Sequence, residues 1–295
     1  MRQMPLSDTL KAALWMMGSV VSFSAMAVAG REMSLDLDTF EIMMYRSLIG
    51  VVIVLICARY FGTLGQIKHD RLGLHFTRNI CHFTGQNLWF FAITLIPFAQ
   101  LFAFEFSVPI WVTLAAPLLL AERLTSMRIL SVFTGFIGIL IVTRPWAAGI
   151  SPGIIAAALC ALGFAGSAIF TKILTRTQTI TCILFWLTVM QLAFGVICAG
   201  YDGDIALPAA RSILWVFIVG FGGLFAHFCL TTALRLAPAT VVMPVDFTRL
   251  PLIAVVGAVF YNEALEIWVV IGAIIIFASN YINIWDENRK KRAVA

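Results

Sequence analysis

Charge is what this 295-residue sequence has least of. Asp, Glu, Lys and Arg make up 12% of it, where soluble globular chains carry roughly a quarter. No Gly-rich Walker loop with its lysine is present, so ATP does not drive the protein directly. HExxH, GxSxG and clustered His/Cys sets are missing too, which removes the intramembrane hydrolases and metal enzymes. The four histidines (His69, His75, His82, His227) lack metal-ligand spacing, so no catalytic residue, metal or cofactor is expected. The six cysteines form no CxxC pair and fall inside hydrophobic runs, where they read as small apolar side chains. A net charge of +5 would suit nucleic acid, but the basic residues lie between apolar segments instead of forming a patch.

What is abundant is apolar: 61% of residues, with a mean hydropathy of +0.97. That composition belongs to a multi-pass membrane protein whose solvent is the lipid bilayer. Ten runs are long enough to cross: 12–29, 42–61, 76–96, 98–121, 127–143, 153–171, 180–199, 212–234, 238–261 and 267–285. All are expected to be helices, because isolated strands leave backbone groups unsatisfied in hydrocarbon. The first run also resembles a signal peptide, with Arg2 and Lys11 before it and a small-residue Ala25–Ala29 stretch. Against that reading, Phe23, Ala27 and Arg31 match Phe164, Ala168 and Lys172 further along.

Those matches belong to a gapless repeat at an offset of 141 residues. Segment 92–124 laid on 233–265 pairs Pro97 with Pro238, Glu105 with Asp246, Phe106 with Phe247 and Glu122 with Glu263. Only six of the 33 positions are identical, but the residues kept include acids in or beside apolar helices, which are costly there. Two units follow, residues 1–145 and 150–286, with a basic tail at 287–295.

Alternating ten helices from a cytoplasmic amino terminus puts fourteen Lys and Arg inside and three (Arg31, Arg144, Arg211) outside. This positive-inside bias predicts both termini in the cytoplasm of a bacterial-type inner membrane. Five helices per unit is an odd number, so the second copy enters upside down. Inverted repeats are a plan for secondary transporters, with prolines at matching positions marking the midplane site. Pro109 and Pro117 in the fourth run, and Pro244 and Pro251 in the ninth, are the candidates for kinks.

The third run carries the polar residues. Arg78, His82, Gln86 and Trp89 share one helical face about 16 Å long, flanked by Asn79 and Asn87. His227 matches Gln86 in the second copy. The stripe reads as a cavity lining, with interhelical hydrogen bonding as the plainer alternative. Glu105 lies inside the membrane without a local partner, so its cation would be Arg78 or Arg46 from another helix. Asp246 and Arg249, three apart, can pair on their own helix. Glu105 is therefore a candidate proton or ammonium site; equally, both acids can be ion-pair locks. Glu122 and Glu263 precede the fifth and tenth runs, where negative charge suits a helix amino terminus.

Ile96-Pro97 through Leu119-Leu120-Ala121-Glu122, Ala237-Pro238 through Phe260-Tyr261-Asn262-Glu263, and the Gly135–Gly138 segment resemble the drug/metabolite transporter superfamily, EamA-like branch, over residues 10–285. The resemblance implies an all-α membrane protein of ten helices in two inverted repeats. It further implies a central cavity between helices three, four, eight and nine that takes a small metabolite, in a monomer or homodimer. The lining expected here is Arg78, His82, Gln86, Asn87, Trp89, Phe102, Glu105, Phe106, Trp111, His227, Asp246 and Arg249. Its aromatic and hydrogen-bonding content favours a flat, riboflavin-like substrate, with export of amino acids or S-adenosylmethionine-like derivatives as the alternative. A membrane-embedded binding or sensor subunit without transport is the other class.

Overall fold

The offset read from the sequence recurs in the helix boundaries. The computed structural model describes residues 6–120, 125–144, 146, 149–236, 242 and 245–294. Its α-helices are α1 (Leu6–Met33), α2 (Thr39–Tyr60), α3 (Leu72–Ala92), α4 (Phe98–Glu105), α5 (Val108–Leu119) and α6 (Ser126–Thr143). Then come α7 (Pro152–Leu174), α8 (Ile180–Ala199), α9 (Ile213–Leu236), α10 (Arg249–Tyr261) and α11 (Ile267–Val294). α1 and α7 end 141 residues apart, and the pairs α2/α8, α3/α9, α5/α10 and α6/α11 each start 141 apart. Local chemistry fixes several of these points. Asp38 and its repeat mate Thr179 both cap a helix, accepting from the N–H of Glu41 at 2.8 Å and of Cys182 at 3.3 Å. A side-chain cap of this kind contributes about 1 kcal/mol.

By length and composition seven helices suffice to cross a membrane, with α4 and α5 counted as one; Arg249–Tyr261 and Ile267–Ile282 are shorter apolar helices. α3 falls short through the polar stripe it carries. Large apolar side chains on the perimeter, such as Leu118 (88% exposed) and Phe260 (75%), suit a lipid neighbour and would be a liability in water.

The fourth run is broken. Phe106 and Ser107 separate α4 from α5, and their repeat mates Phe247 and Thr248 form the turn before α10. Pro109 and Pro251 sit in the first turns of the helices that follow, where a missing N–H costs little. The break thus falls just before the prolines and not at them. Asn280 of α11 donates to the Phe106 carbonyl at 2.7 Å, satisfying an acceptor that the break leaves orphaned. Pro117 lies inside α5, while Glu122, Pro238 and Pro244 are outside the described residues.

Packing follows the same exchange. α1 lies along α9 and α3 along α7, a pair of contacts that swap when the copies are exchanged; α2 meets α8, α6 meets α11 and α4 meets α10. Small residues permit these crossings. A Cβ on Gly272 would stand 2.6 Å from the Gly138 carbonyl oxygen. At the same α6–α11 contact Ser131 and Ser279 each donate to the other's carbonyl, at 2.7 and 2.5 Å. The core is aromatic, with Trp89, Phe90, Phe98 and Phe102 fully buried.

Candidate functional site

The α3 stripe meets protein at each of its residues, and all but His82 are buried. Arg78 is buried and donates through Nε to Thr171 Oγ1 of α7 and through a terminal nitrogen to Asn79 Oδ1, both at 3.1 Å. One turn on, His82 Nδ1 lies 3.4 Å from Ser167 Oγ of α7, and its ring centroid is 5.9 Å from that of Phe164. Gln86 is buried and accepts from the Arg46 guanidinium of α2. Trp89 is buried and donates through Nε1 to Glu105 Oε2 at 2.9 Å. Asn87 turns back to its own helix, donating to the Phe83 carbonyl at 2.8 Å, and its Oδ1 is buried without a hydrogen-bond partner. Trp111 stands apart, held by Ser107 Oγ at 3.2 Å and edge-on to Phe136 of α6.

The paired breaks bring together the charges that the sequence kept separate. Arg249 is the first residue of α10 and Glu105 the last of α4, and they meet as an ion pair at 3.0 Å. The partner of Glu105 is therefore Arg249, not Arg78 or Arg46 as expected from the stripe; a helical break, invisible to spacing rules, carries the cation across. The expected Asp246–Arg249 pair does form, but at a longer 3.5 Å, and Asp246 Oδ1 has no hydrogen-bond partner. The rings of Phe23, Phe102 and Phe106 surround the Arg249 guanidinium carbon at 4.8, 5.3 and 4.9 Å. Such a cation–π cage holds a guanidinium where water is scarce. One cation thus serves an acid from each copy.

A more open region adjoins this cluster. Arg46 is half-buried in α2 and bonds only neutral groups, Gln86 and Met43 Sδ. His82 is half-buried, and His227 of α9 is exposed while standing edge-on to Phe23, ring centroids 5.3 Å apart. His227 lies within electrostatic reach of Arg46, Arg78 and Arg249, and His82 within reach of Arg46, Arg78 and His227. His227 is thus an accessible histidine amid charges from α2, α3 and α10. The stripe therefore has two parts: Arg78, Asn87 and Trp89 are locked into protein, whereas His82 keeps accessible surface and Gln86 holds the half-buried Arg46.

A second ion pair closes one end of the molecule. Arg31, in the last turn of α1, pairs with Glu263, which follows α10. Arg31 also donates to the carbonyls of Ile93 at 2.8 Å and Ile96 at 3.0 Å, and lies over the rings of Phe98 and Tyr261. Glu263 Oε2 accepts the Phe98 N–H at 2.9 Å. The helix amino terminus that Glu263 serves is thus that of α4, across the molecule; α11 starts further along at Ile267. Sequence reasoning used Arg31 as a repeat landmark and as an outer-side charge, and gave it no partner. The signal that identifies the pair is the offset itself, which sets Arg31 and Glu263 opposite Lys172 and Glu122.

An all-helical chain with apolar perimeters, a duplicated plan and charges gathered at its centre defines a multi-pass membrane protein with an interior polar site. Its sequence matches the EamA-like transporter family twice, over residues 10–144 and 151–285, and the chain belongs to that family. It is similar to an S-adenosylmethionine uptake transporter of Rickettsia conorii, 26% identical over 96% of this chain and 97% of that protein. A riboflavin transporter of Brucella anthropi is 30% identical over 77% of this chain and 82% of that protein. A Rhizobium johnstonii riboflavin transporter is 26% identical over 98% and 96%. A solved crystal structure shares the fold with a TM-score of 0.66 at 17% identity, covering 94% of this chain and 98% of that one. The protein is a secondary transporter of small metabolites.

Proposed function

We propose that the chain carries a flat heteroaromatic metabolite, riboflavin-like or S-adenosylmethionine-like, across a bacterial inner membrane by alternating access. Two inverted five-helix repeats, residues 1–145 and 150–286, enclose the site, with both termini and the basic tail 287–295 in the cytoplasm. Support comes from the exchange of packing partners between the copies, the shared offset of their boundaries and the distribution of loop charge. The observation that carries the reading is the accessible surface that Arg46, His82 and His227 keep near one another, beside Phe23 and Phe164. Aromatic faces there stack on a ring, and the polar groups direct it. Gln86, Asn87, Trp89, Glu105, Asp246 and Arg249 position that lining; Trp111 is assigned no contact with substrate. The Arg31–Glu263 pair is the latch of the conformer closed on the outer side.

Uptake of radiolabelled riboflavin and S-adenosylmethionine into proteoliposomes containing the purified full chain tests this. Time-dependent accumulation of at least one of them, reduced by His82→Ala or His227→Ala, is the expected result. Saturable binding with no accumulation would replace the carrier by the sensor class. Absence of both binding and uptake would sink the heteroaromatic assignment.

A further inference from the structure

Three arginines occupy the middle of the molecule, and only one of them meets acids. Arg249 takes both Glu105 and Asp246. Among the described residues Arg46 and Arg78 pair with no carboxylate, and their hydrogen-bond acceptors are Gln86, Met43, Thr171 and Asn79, all neutral. A guanidinium stays protonated in a protein. Two positive charges within reach of one another, each left without a counter-charge in a membrane-spanning bundle, are costly. Such an arrangement is retained where something supplies the missing negative charge. Arg78 is buried, whereas Arg46 keeps accessible surface, as do His82 and His227. Arg46 also stands seven residues into α2, about 10 Å from its start, too deep for a lipid phosphate at the bilayer surface.

We infer that Arg46 is the contact for an anionic group, carboxylate or phosphate, on the transported metabolite, with Arg78 supplying the second positive charge of that pole. Gln86 holds the Arg46 guanidinium in place. His82 lies along α3 between Arg78 and Gln86, the residue that holds Arg46, and marks the level of the anion. This rests on the carrier reading above and narrows it: a ring alone does not satisfy the site, and the substrate bears an acid as well.

Ligand pairs that differ only in the acid test the assignment: S-adenosylmethionine against its decarboxylated form, and flavin mononucleotide against riboflavin. Binding to the purified full chain is measured by calorimetry. At least one acidic member is expected to bind about tenfold or more tighter than its partner without the acid, the size of one charge-assisted hydrogen bond. The first pair reports a carboxylate, the second a phosphate. Arg46→Gln should bring the preferred pair within about twofold, and Arg46→Lys should restore part of the gap. Without ligand, Arg46→Gln should melt no lower than the parent, since an uncompensated charge has been removed. Equal or tighter binding of the members without the acid, or a preference that survives Arg46→Gln, overturns the inference while leaving the heteroaromatic reading intact. Should none of the four ligands bind, the heteroaromatic reading fails. Acetate and inorganic phosphate alone then decide: a rise in melting temperature that Arg46→Gln abolishes supports the anion pole, and no such rise overturns it.

Discussion

Replacing Glu263 by Gln tests the latch most directly. The Arg31 and Glu263 side chains are 16% and 12% exposed, so their attraction is little screened by solvent. Removing one member of a buried pair costs about 3–5 kcal/mol when the other is stranded. Here the loss is smaller, because Arg31 keeps the Ile93 and Ile96 carbonyls and a glutamine oxygen can still accept the Phe98 N–H. What disappears is the charge on one ion-paired bond, about 2 kcal/mol, or roughly a thirtyfold shift between latched and open forms. Cys160 reports that shift: it is 1% exposed and belongs to the same core cluster as Ile96 and Phe98. In a variant whose other five cysteines are alanine, Glu263→Gln should speed labelling of Cys160 by a membrane-impermeant maleimide by about that factor. The melting temperature should fall by a few degrees. Unchanged labelling with an unchanged melting curve would refute the latch and leave Glu263 only as the acceptor at the amino terminus of α4.

Other perturbations separate further claims. Glu105→Gln should destabilise the detergent-solubilised protein by about 2–4 kcal/mol by weakening the 3.0 Å pair and leaving Arg249 only its 3.5 Å contact, while Asp246→Asn costs less than about half as much; equal losses would refute the ranking. Gly272→Ala should cost about 1–3 kcal/mol, because its Cβ would press on the Gly138 carbonyl, whereas Gly73→Ala, with open space around it, changes stability by less than about 1 kcal/mol; thermal unfolding compares them. Asp36, in the α1–α2 loop, bonds Arg211 and Ser212, and these partners lower its pKa to about 2 from 3.8. A depressed carboxylate pKa gives stability present above pH 3.8 and lost as pH falls towards 2. The melting difference between the parent and Asp36→Asn should therefore vanish over that interval, and a difference that persists at pH 2 would contradict it.

Much of the architecture was legible because membrane helices announce themselves twice, by apolar length and by the acids and prolines they keep. The 141-residue offset, found from Pro97, Glu105 and Glu122, anticipated boundaries as distant as Thr39 with Ile180 and Ser126 with Ile267. The site was legible only in part. Spacing on α3 put Arg78, His82, Gln86 and Trp89 on one face, but whether each residue ends locked or open depends on what α2, α4 and α7 bring opposite it. Gln86 meets Arg46, and Trp89 meets Glu105; neither partner has a fixed distance in sequence. Pairing rules along a helix favoured Asp246 with Arg249, and they miss the stronger contact because Glu105 arrives from the other copy. Trp111 was selected for its chemistry, which says nothing about direction, and it points to Phe136.

The duplicated scaffold also explains why its centre is not symmetric. At equivalent positions the first copy offers Gln86, Glu105 and Val108, and the second His227, Asp246 and Arg249. A metabolite has no two-fold axis, so a site lined by identical halves would present each recognition group twice and leave one copy unsatisfied. A buried group without its partner costs about 1–3 kcal/mol, more when charged. Placing the single Arg249 between the acids of both copies removes that penalty and ties the two broken helices together. Arg46 has no such counterweight, and its repeat mate is the apolar Leu187. The scaffold closes on itself around Arg249 and stays electrostatically incomplete around Arg46, so the second location is where a ligand has most to contribute.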